Sequence, residues 1–119
     1  MINECNKFNK HFIYASSAGV YGNEGIFSET SKGVPLSPYA WSKYLFDRYV
    51  LNNKFNTTYQ GIRFFNVYGR YEKHKKEQMS VFHKFYNYSI KMKEIYLFEG
   101  SKNIYRDFIY VEDCLNVIE

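Results

Sequence analysis

An α/β fold built on a doubly wound parallel sheet is what this sequence predicts, and three observations predict it. "HFIYAS" is a short, near-continuously apolar run of aromatic and β-branched residues, as in a strand covered on both faces. "SPYAWSKYLFDRYVLNN" reads as a helix with clear punctuation at both ends. "TTYQGIRFFNVYG" reads as a second strong strand. Strand, helix, strand in that order is the unit from which a parallel sheet is wound.

Each element has a local reason. Residues 1–10 suit the tail of a polar, amphipathic helix. The first strand follows, and Gly19, Gly22 and Gly25 break it into a loop lasting to about Ser37. Ser37 can cap the helix and Pro38 fits its first position, where a missing N–H costs nothing. Ala40, Trp41, Tyr44, Leu45 and Val50 supply apolar faces, and Asn52 and Asn53 suit the end. The second strand closes on Asn66 and Gly69. "RYEKHKKE" is expected to be a charged loop, and "QMSVFHKFYNYSIKM" a helix with Met79, Phe82, Tyr86 and Ile90 near one face. "IYLF" is expected as a short strand, "EGSKN" as a turn, "RDFIYV" as a last strand and "EDCLNVIE" as the start of a helix. There is no internal repeat and no low-complexity linker.

The composition bounds the function. At 45% hydrophobic residues, the 119-residue chain can bury a core and is not disordered. Its 13 Tyr and 11 Phe leave two options. Either the rings pack within the domain, or many pack against something absent. The net charge of +4 fits an anionic ligand, such as a nucleotide sugar or a nucleic acid, and equally a solvated surface. Cys5 and Cys114 lie far apart, with no metal-ligand or CxxC spacing, so free thiols in a reducing compartment and no metal are expected. The start, "MINECNKFNK", lacks the apolar core of a signal peptide, and no run approaches the roughly 20 apolar residues of a membrane span. A cytoplasmic protein without a membrane partner is therefore expected.

Tyr39 and Lys43 form Y-x-x-x-K and share one helical face, one turn apart. A tyrosine, with a free pKa of about 10, is a poor base at neutral pH. An ammonium beside a phenol favours the phenolate, and the same ammonium can hydrogen-bond a ribose hydroxyl. The spacing alone is weak: Tyr71 and Lys75 repeat it, and an aromatic at a helix start is more often core. The surroundings raise its weight. A strand ends in Ser16-Ser17 upstream, and another ends in Asn66 downstream. Ligands of doubly wound sheets bind where strands end, so Ser, Tyr/Lys and Asn are expected to converge.

"YASSAGVYG", "SPYAWSKYLFDRYV", "GIRFFNVYG" and "RDFIYVEDC", in that order, resemble the extended short-chain dehydrogenases/reductases, the family of nucleotide-sugar epimerases and dehydratases. The resemblance covers nearly the whole chain. It implies a Rossmann-like fold with catalytic Ser17, Tyr39 and Lys43. "NVYGRYEKHKKEQMSVFHK" and "LFEGSKNIYRDFIYV" are most similar to the branch that inverts C6 of ADP-heptose, a lipopolysaccharide precursor, through a 6-keto sugar. That likeness implies Lys75, after His74, as a second acid/base group. It implies Tyr39, Lys43, Val67 and Lys75 beside the cofactor. Substrate contacts fall on Ser17, Asn66, His83, Phe98, Glu99, Gly100, Ser101 and Arg106. One contact of the branch, a serine, falls on Glu77 or a gap. The implied cofactor is NADP, with NAD the alternative, and the implied partner is a nucleotide-diphosphate sugar.

Two bases suit an inversion. The sugar must lose hydride from one face and regain it on the other, and one residue can hardly serve both poses. A lysine acting as a base needs desolvation or neighbouring positive charge, which Lys73 and Lys76 can supply. Without the resemblance, Lys75 reads as part of a solvated basic loop, Arg106 as an ion-pair partner of Asp107 or Glu112, and His83 as a helix-surface histidine.

The family's G-x-x-G-x-x-G, which cradles a pyrophosphate at a helix N-terminus, has no match here. Family members are also roughly twice this length or more. The expected organisation is therefore the C-terminal half of a Rossmann-like sheet. Residues 1–70 would form the second half of the NADP-binding domain, and residues 71–119 the truncated beginning of a substrate-binding region. The N-terminal half is expected elsewhere, with a separate chain as one source. The fragment alone is expected to bind NADP weakly and to be inactive, and a homo-oligomer is expected only of the complete enzyme. Other readings are another nucleotide-sugar epimerase or dehydratase, a nonfunctional remnant, or a basic nucleic-acid-binding module. Dehydratases of the family place an acidic residue beside the serine, where Ala18 and Gly19 stand here. Aromatics in buried-looking strands argue against nucleic acid.

Overall fold

Strand β1 (Phe12–Ser17) pairs in parallel with β2 (Tyr59–Phe64), Phe12 opposite Tyr59 and Ser17 opposite Phe64. The chain is seen here as a computed structural model that describes residues 1–23 and 27–119. Helix α2 (Pro38–Asn52) makes the crossover between the two strands and packs against β1. This is the expected α/β unit with parallel strands. The chain divides into two compact units, Met1–Phe64 and Phe65–Glu119.

The first unit is held by a small core. Ile2 of helix α1 (Ile2–Lys7), Phe12 of β1 and Val50 of α2 are buried together, with Cys5, Tyr14, Phe46 and Phe55 packed against them. Burying each of the larger side chains contributes about 1.5–3 kcal/mol. Helix α2 begins as expected: the Ser37 hydroxyl accepts from the Ala40 N–H at 3.1 Å, with Pro38 at the first position. It ends at Asn53, whose side-chain amide donates to the Tyr49 carbonyl at 2.7 Å. After β1, a 3-10 turn (Ala18–Tyr21) leads to Gly22, whose φ is 73°. A Cβ there would come within 2.1 Å of the Val34 carbonyl oxygen, so the position needs glycine on two grounds. Gly25, the third expected loop glycine, lies outside the described residues.

The second unit departs from expectation in four places. "TTYQGIRFFNVYG" is two strands rather than one. β2 ends at Phe64, and β3 (Asn66–Tyr68) pairs in parallel with β4 (Phe108–Tyr110) in a separate two-stranded sheet. No Gly or Pro stands between Ile62 and Val67, so the sequence carries no mark of the change of partner. "RYEKHKKE" is not a plain loop but contains 3-10 turns over Glu72–Gln78, broken at Lys76. "IYLF" forms no strand: no described segment pairs with it, and Tyr96, Leu97 and Phe98 are exposed. Helix α3 (Val81–Ile90) is shorter than expected because Ser80 caps it, its hydroxyl accepting from the His83 N–H at 3.2 Å. Phe82, Tyr86 and Ile90 on that helix are exposed. Helix α4 (Val111–Ile118) follows β4 directly and buries Cys114.

Aromatic rings pack together in both units, and others remain exposed. Phe12, Tyr14 and Phe46 contact one another in the first unit, with Tyr14 and Phe46 edge to face at 4.9 Å. Tyr71, Tyr96 and Tyr105 are each at least 85% exposed. Among the described residues, no helix is long and apolar enough to cross a membrane.

Candidate active site

The two serines at the end of β1 have different tasks because successive strand residues face opposite ways. Ser16 points to the α2 side, is buried, and its hydroxyl donates to Asp47 Oδ2 at 2.9 Å. Ser17 caps the 3-10 turn, its oxygen accepting from the Gly19 N–H at 3.1 Å. That bond uses an acceptor position only, so the Ser17 hydroxyl keeps its proton to donate.

Helix α2 carries Tyr39 and Lys43 on one stripe over this strand end. Ala40 lies beside Gly19: a Cβ on Gly19 would sit 3.5 Å from that of Ala40. Lys43 Nζ donates to the Ala15 carbonyl at 2.9 Å and lies 5.8 Å from the centroid of the Tyr39 ring. The carbonyl is open to it for a reason of pleating. The Phe12 N–H is turned to β2, bonding the Thr58 carbonyl at 3.1 Å, so the backbone groups of Ala15 face away from β2. Tyr39, at the second helical position, is 61% exposed and free to meet a ligand. A groove of about 370 Å³ runs alongside, lined by Phe12, Tyr14, Ala15, Ser42, Lys43 and Phe46. The first unit thus brings Ser17, Tyr39 and Lys43 to one strand end.

Beneath them lies a polar cluster to which the sequence reading assigns no role. Asp47 is buried and accepts from Arg63 Nε at 3.4 Å as well as from Ser16. The Arg63 guanidinium lies 4.9 Å from the centroid of the Tyr21 ring. Its pKa is raised: burial opposes the charge, but Tyr21 and Asp47 outweigh it. Burial first, then the Asp47 charge, push the Tyr14 phenol well above its usual range, so Tyr14 stays protonated. The available signal for Asp47 is its spacing: Tyr39, Lys43 and Asp47 fall at i, i+4 and i+8.

The remaining candidates lie in the second unit. The Asn66 side chain donates to the Asp107 carbonyl at 2.8 Å, tying the start of β3 to the residue before β4. Val67 sits mid-strand, opposite Ile109. Lys75 lies in the turn after β3, where its Nζ is 3.7 Å from Glu72 Oε2. A carboxylate is thus among its neighbours. Glu72 is buried and accepts from the Gly69 N–H at 3.0 Å, the Ser80 N–H at 2.7 Å and the Ser80 hydroxyl at 2.9 Å. Its pKa is lowered: burial works against the charge, and the Ser80 and Gly69 bonds outweigh it. Tyr71 (φ 67°) and Lys76 (φ 49°) bracket this turn in left-handed backbone, a costly conformation for such residues. His83 Nε2 is buried with no hydrogen-bond partner among the described residues. Phe98 and Glu99 are exposed, Gly100 is left-handed (φ 80°), and Ser101 opens a 3-10 turn. Arg106 is exposed and makes no ion pair among the described residues, whereas Glu112 faces Arg70 at 3.9 Å. No three His, Cys, Asp or Glu among the described residues come together as a metal site.

Comparison with known proteins bears on this arrangement. Residues 1–119 match the NAD dependent epimerase/dehydratase family. The chain is 46% identical over 111 residues to an ADP-L-glycero-D-manno-heptose-6-epimerase of Brachyspira hyodysenteriae, covering 88% of this chain and 35% of that relative. Its fold is similar to the crystal structure of the Helicobacter pylori ADP-L-glycero-D-manno-heptose-6-epimerase, with a TM-score of 0.85 and 34% identity, covering 96% of this chain and 36% of that one. It is also similar to a Thermus thermophilus UDP-glucose 4-epimerase in complex with NAD, with a TM-score of 0.74 and 27% identity, covering 98% and 41%. The chain therefore spans about a third of the length of the heptose epimerases it matches.

Proposed function

The chain belongs to the NAD dependent epimerase/dehydratase family, and from that membership we propose that it carries the Ser/Tyr/Lys centre of an ADP-heptose 6-epimerase. The observation that carries the reading is the placement of Lys43. Its ammonium is fixed on the Ala15 carbonyl within 5.8 Å of the Tyr39 ring, over the strand end that presents Ser17. Names of relatives at 46% and 34% identity support heptose as the sugar.

The donor set fits a nicotinamide dinucleotide. An ammonium and a phenol one helical turn apart suit a ribose hydroxyl and the reacting hydroxyl of a sugar. When bound, the dinucleotide supplies the hydride acceptor and donor; NADP is the form proposed. Ser17 donates to the substrate oxygen and fixes its direction. Tyr39, with the Lys43 ammonium beside its ring, takes the proton from the carbinol hydroxyl in one pose of the sugar, and the proton exchanged in the other pose is left to a second group. Lys75 is the second acid/base group, serving the opposite face of the sugar. The exposed guanidinium of Arg106, which makes no ion pair among the described residues, suits the substrate's diphosphate, and His83 is the proposed contact to its hydroxyls.

The test is an assay of NADP-dependent interconversion of ADP-heptose epimers. It uses the chain co-expressed with a segment bearing the family's Gly-rich loop, with Tyr39→Phe and Lys75→Ala beside it. Activity lost in both variants is the expected result. A folded complex that binds NADP but leaves both epimers untouched overturns the choice of sugar. Full activity in Lys75→Ala overturns the second base.

A further inference from the structure

We propose that Asp47 is a positioning residue of this centre: by gripping Ser16 and Arg63 it sets which part of α2 faces the Ser17 end of β1. The proposal rests on the reading of Ser17, Tyr39 and Lys43 given above, and it extends that centre by a third helical turn.

The geometry is a clasp between two rigid elements. Helix positions 43 and 47 engage consecutive strand positions 15 and 16. Lys43 holds the Ala15 carbonyl on the strand edge, and Asp47 holds the Ser16 hydroxyl on the strand face. Arg63 reaches the same carboxylate oxygen from β2, so Asp47 joins the helix to both strands of the sheet. A slide of α2 by one residue along its axis is about 1.5 Å. That displacement breaks both bonds and carries Tyr39 away from Ser17 by the same amount, enough to cost a reaction that depends on orientation.

The alternative, a cluster present only for stability, fits poorly. The Asp47–Arg63 contact is single and long, and Asp47 Oδ1 and Arg63 Nη1 are buried with no hydrogen-bond partner among the described residues. Buried ion pairs this incompletely satisfied are weak stabilisers compared with an apolar pair. What an apolar pair lacks is direction. Val50, one turn on, can pack on Phe12 at several offsets, whereas Ser16 and Asp47 meet in one.

The readout is the reactivity of Lys43 in the 119-residue chain. Acylation by acetic anhydride is followed by peptide mass spectrometry, relative to exposed Lys54 in the same sample. Asp47→Asn and Ser16→Ala are each expected to raise the relative rate at Lys43 about five-fold, the ratio equivalent to a bond worth ~1 kcal/mol. Circular dichroism and the thermal midpoint should be retained, and Asp47→Glu should recover part of the protection. An unchanged Lys43 rate in both variants overturns the proposal. Faster labelling of all lysines with a lowered midpoint also overturns it, since that is what a purely structural role predicts. If Asp47→Asn does not fold, Ser16→Ala decides alone, because it leaves the Asp47–Arg63 pair in place. Turnover does not enter this readout, so failure of the catalytic reading shows separately, as full activity in Tyr39→Phe.

Discussion

Lys43 Nζ and the Ala15 carbonyl oxygen lie 2.9 Å apart, joining the middle of a helix to the edge of a strand 28 residues earlier. The bond uses a carbonyl that the sheet leaves open and an ammonium that the Tyr39 ring faces. It holds the ammonium 5.8 Å from the centroid of that ring. The side chains of the proposed chemistry are thus held largely by backbone geometry.

Removing the Tyr39 hydroxyl should cost turnover and little else. Tyr39 is 61% exposed, so Tyr39→Phe is expected to leave the thermal midpoint unchanged. In the assembled epimerase it should lower kcat by about 10²–10⁴-fold, the usual worth of a positioned acid/base group. A fall confined to KM would remove Tyr39 from proton transfer.

Glu72 should make the second unit sensitive to acid. Its folded pKa is depressed, so its contribution to stability is complete above the unfolded value, about 4.3, and is lost as pH falls through the folded value. Hydrogen bonds to a charged group are worth about 1.5–3 kcal/mol each, so Glu72→Gln should destabilise at pH 7. Urea unfolding from pH 7 down to pH 3 should show wild type losing an increment that the Gln variant has already lost. Parallel profiles would refute the assignment.

Gly22→Ala should destabilise the loop that follows Ser17. A residue with φ of 73° and a Cβ 2.1 Å from a carbonyl oxygen must move the backbone. A cost of about 1–3 kcal/mol is expected from the strained backbone alone, read as a lower urea midpoint with unchanged slope. An Ala variant as stable as wild type would contradict the turn geometry.

Much of this was legible because it is local. The Ser37 cap, Pro38 and the apolar run around Phe12 each act over a few residues, and the helix and strand follow from them. Y-x-x-x-K places Tyr39 and Lys43 on one stripe whatever the surroundings, since the helix alone sets it. The division of the second strand run at Phe65 was not legible, because no Gly or Pro marks the point where the strand changes its pairing partner. "IYLF" failed for the related reason that propensity without a partner makes no sheet.

The polar contacts mark the limit most clearly. Sequence by itself determined the α/β class, the boundaries of α2, the place of Ser17 at a strand end and the shared stripe of Tyr39 and Lys43 on α2. Only the tertiary structure decided that Ser16 turns inward to Asp47, that Arg63 shares that carboxylate, and that Glu72 gathers Gly69, Ser80 and Lys75 into one turn. Strand pleating and helix stripes follow from the backbone's own periods and can be counted along a chain. Which buried donor meets which buried acceptor depends on how two elements slide and rotate against each other, and that is fixed only when their shared surface is packed.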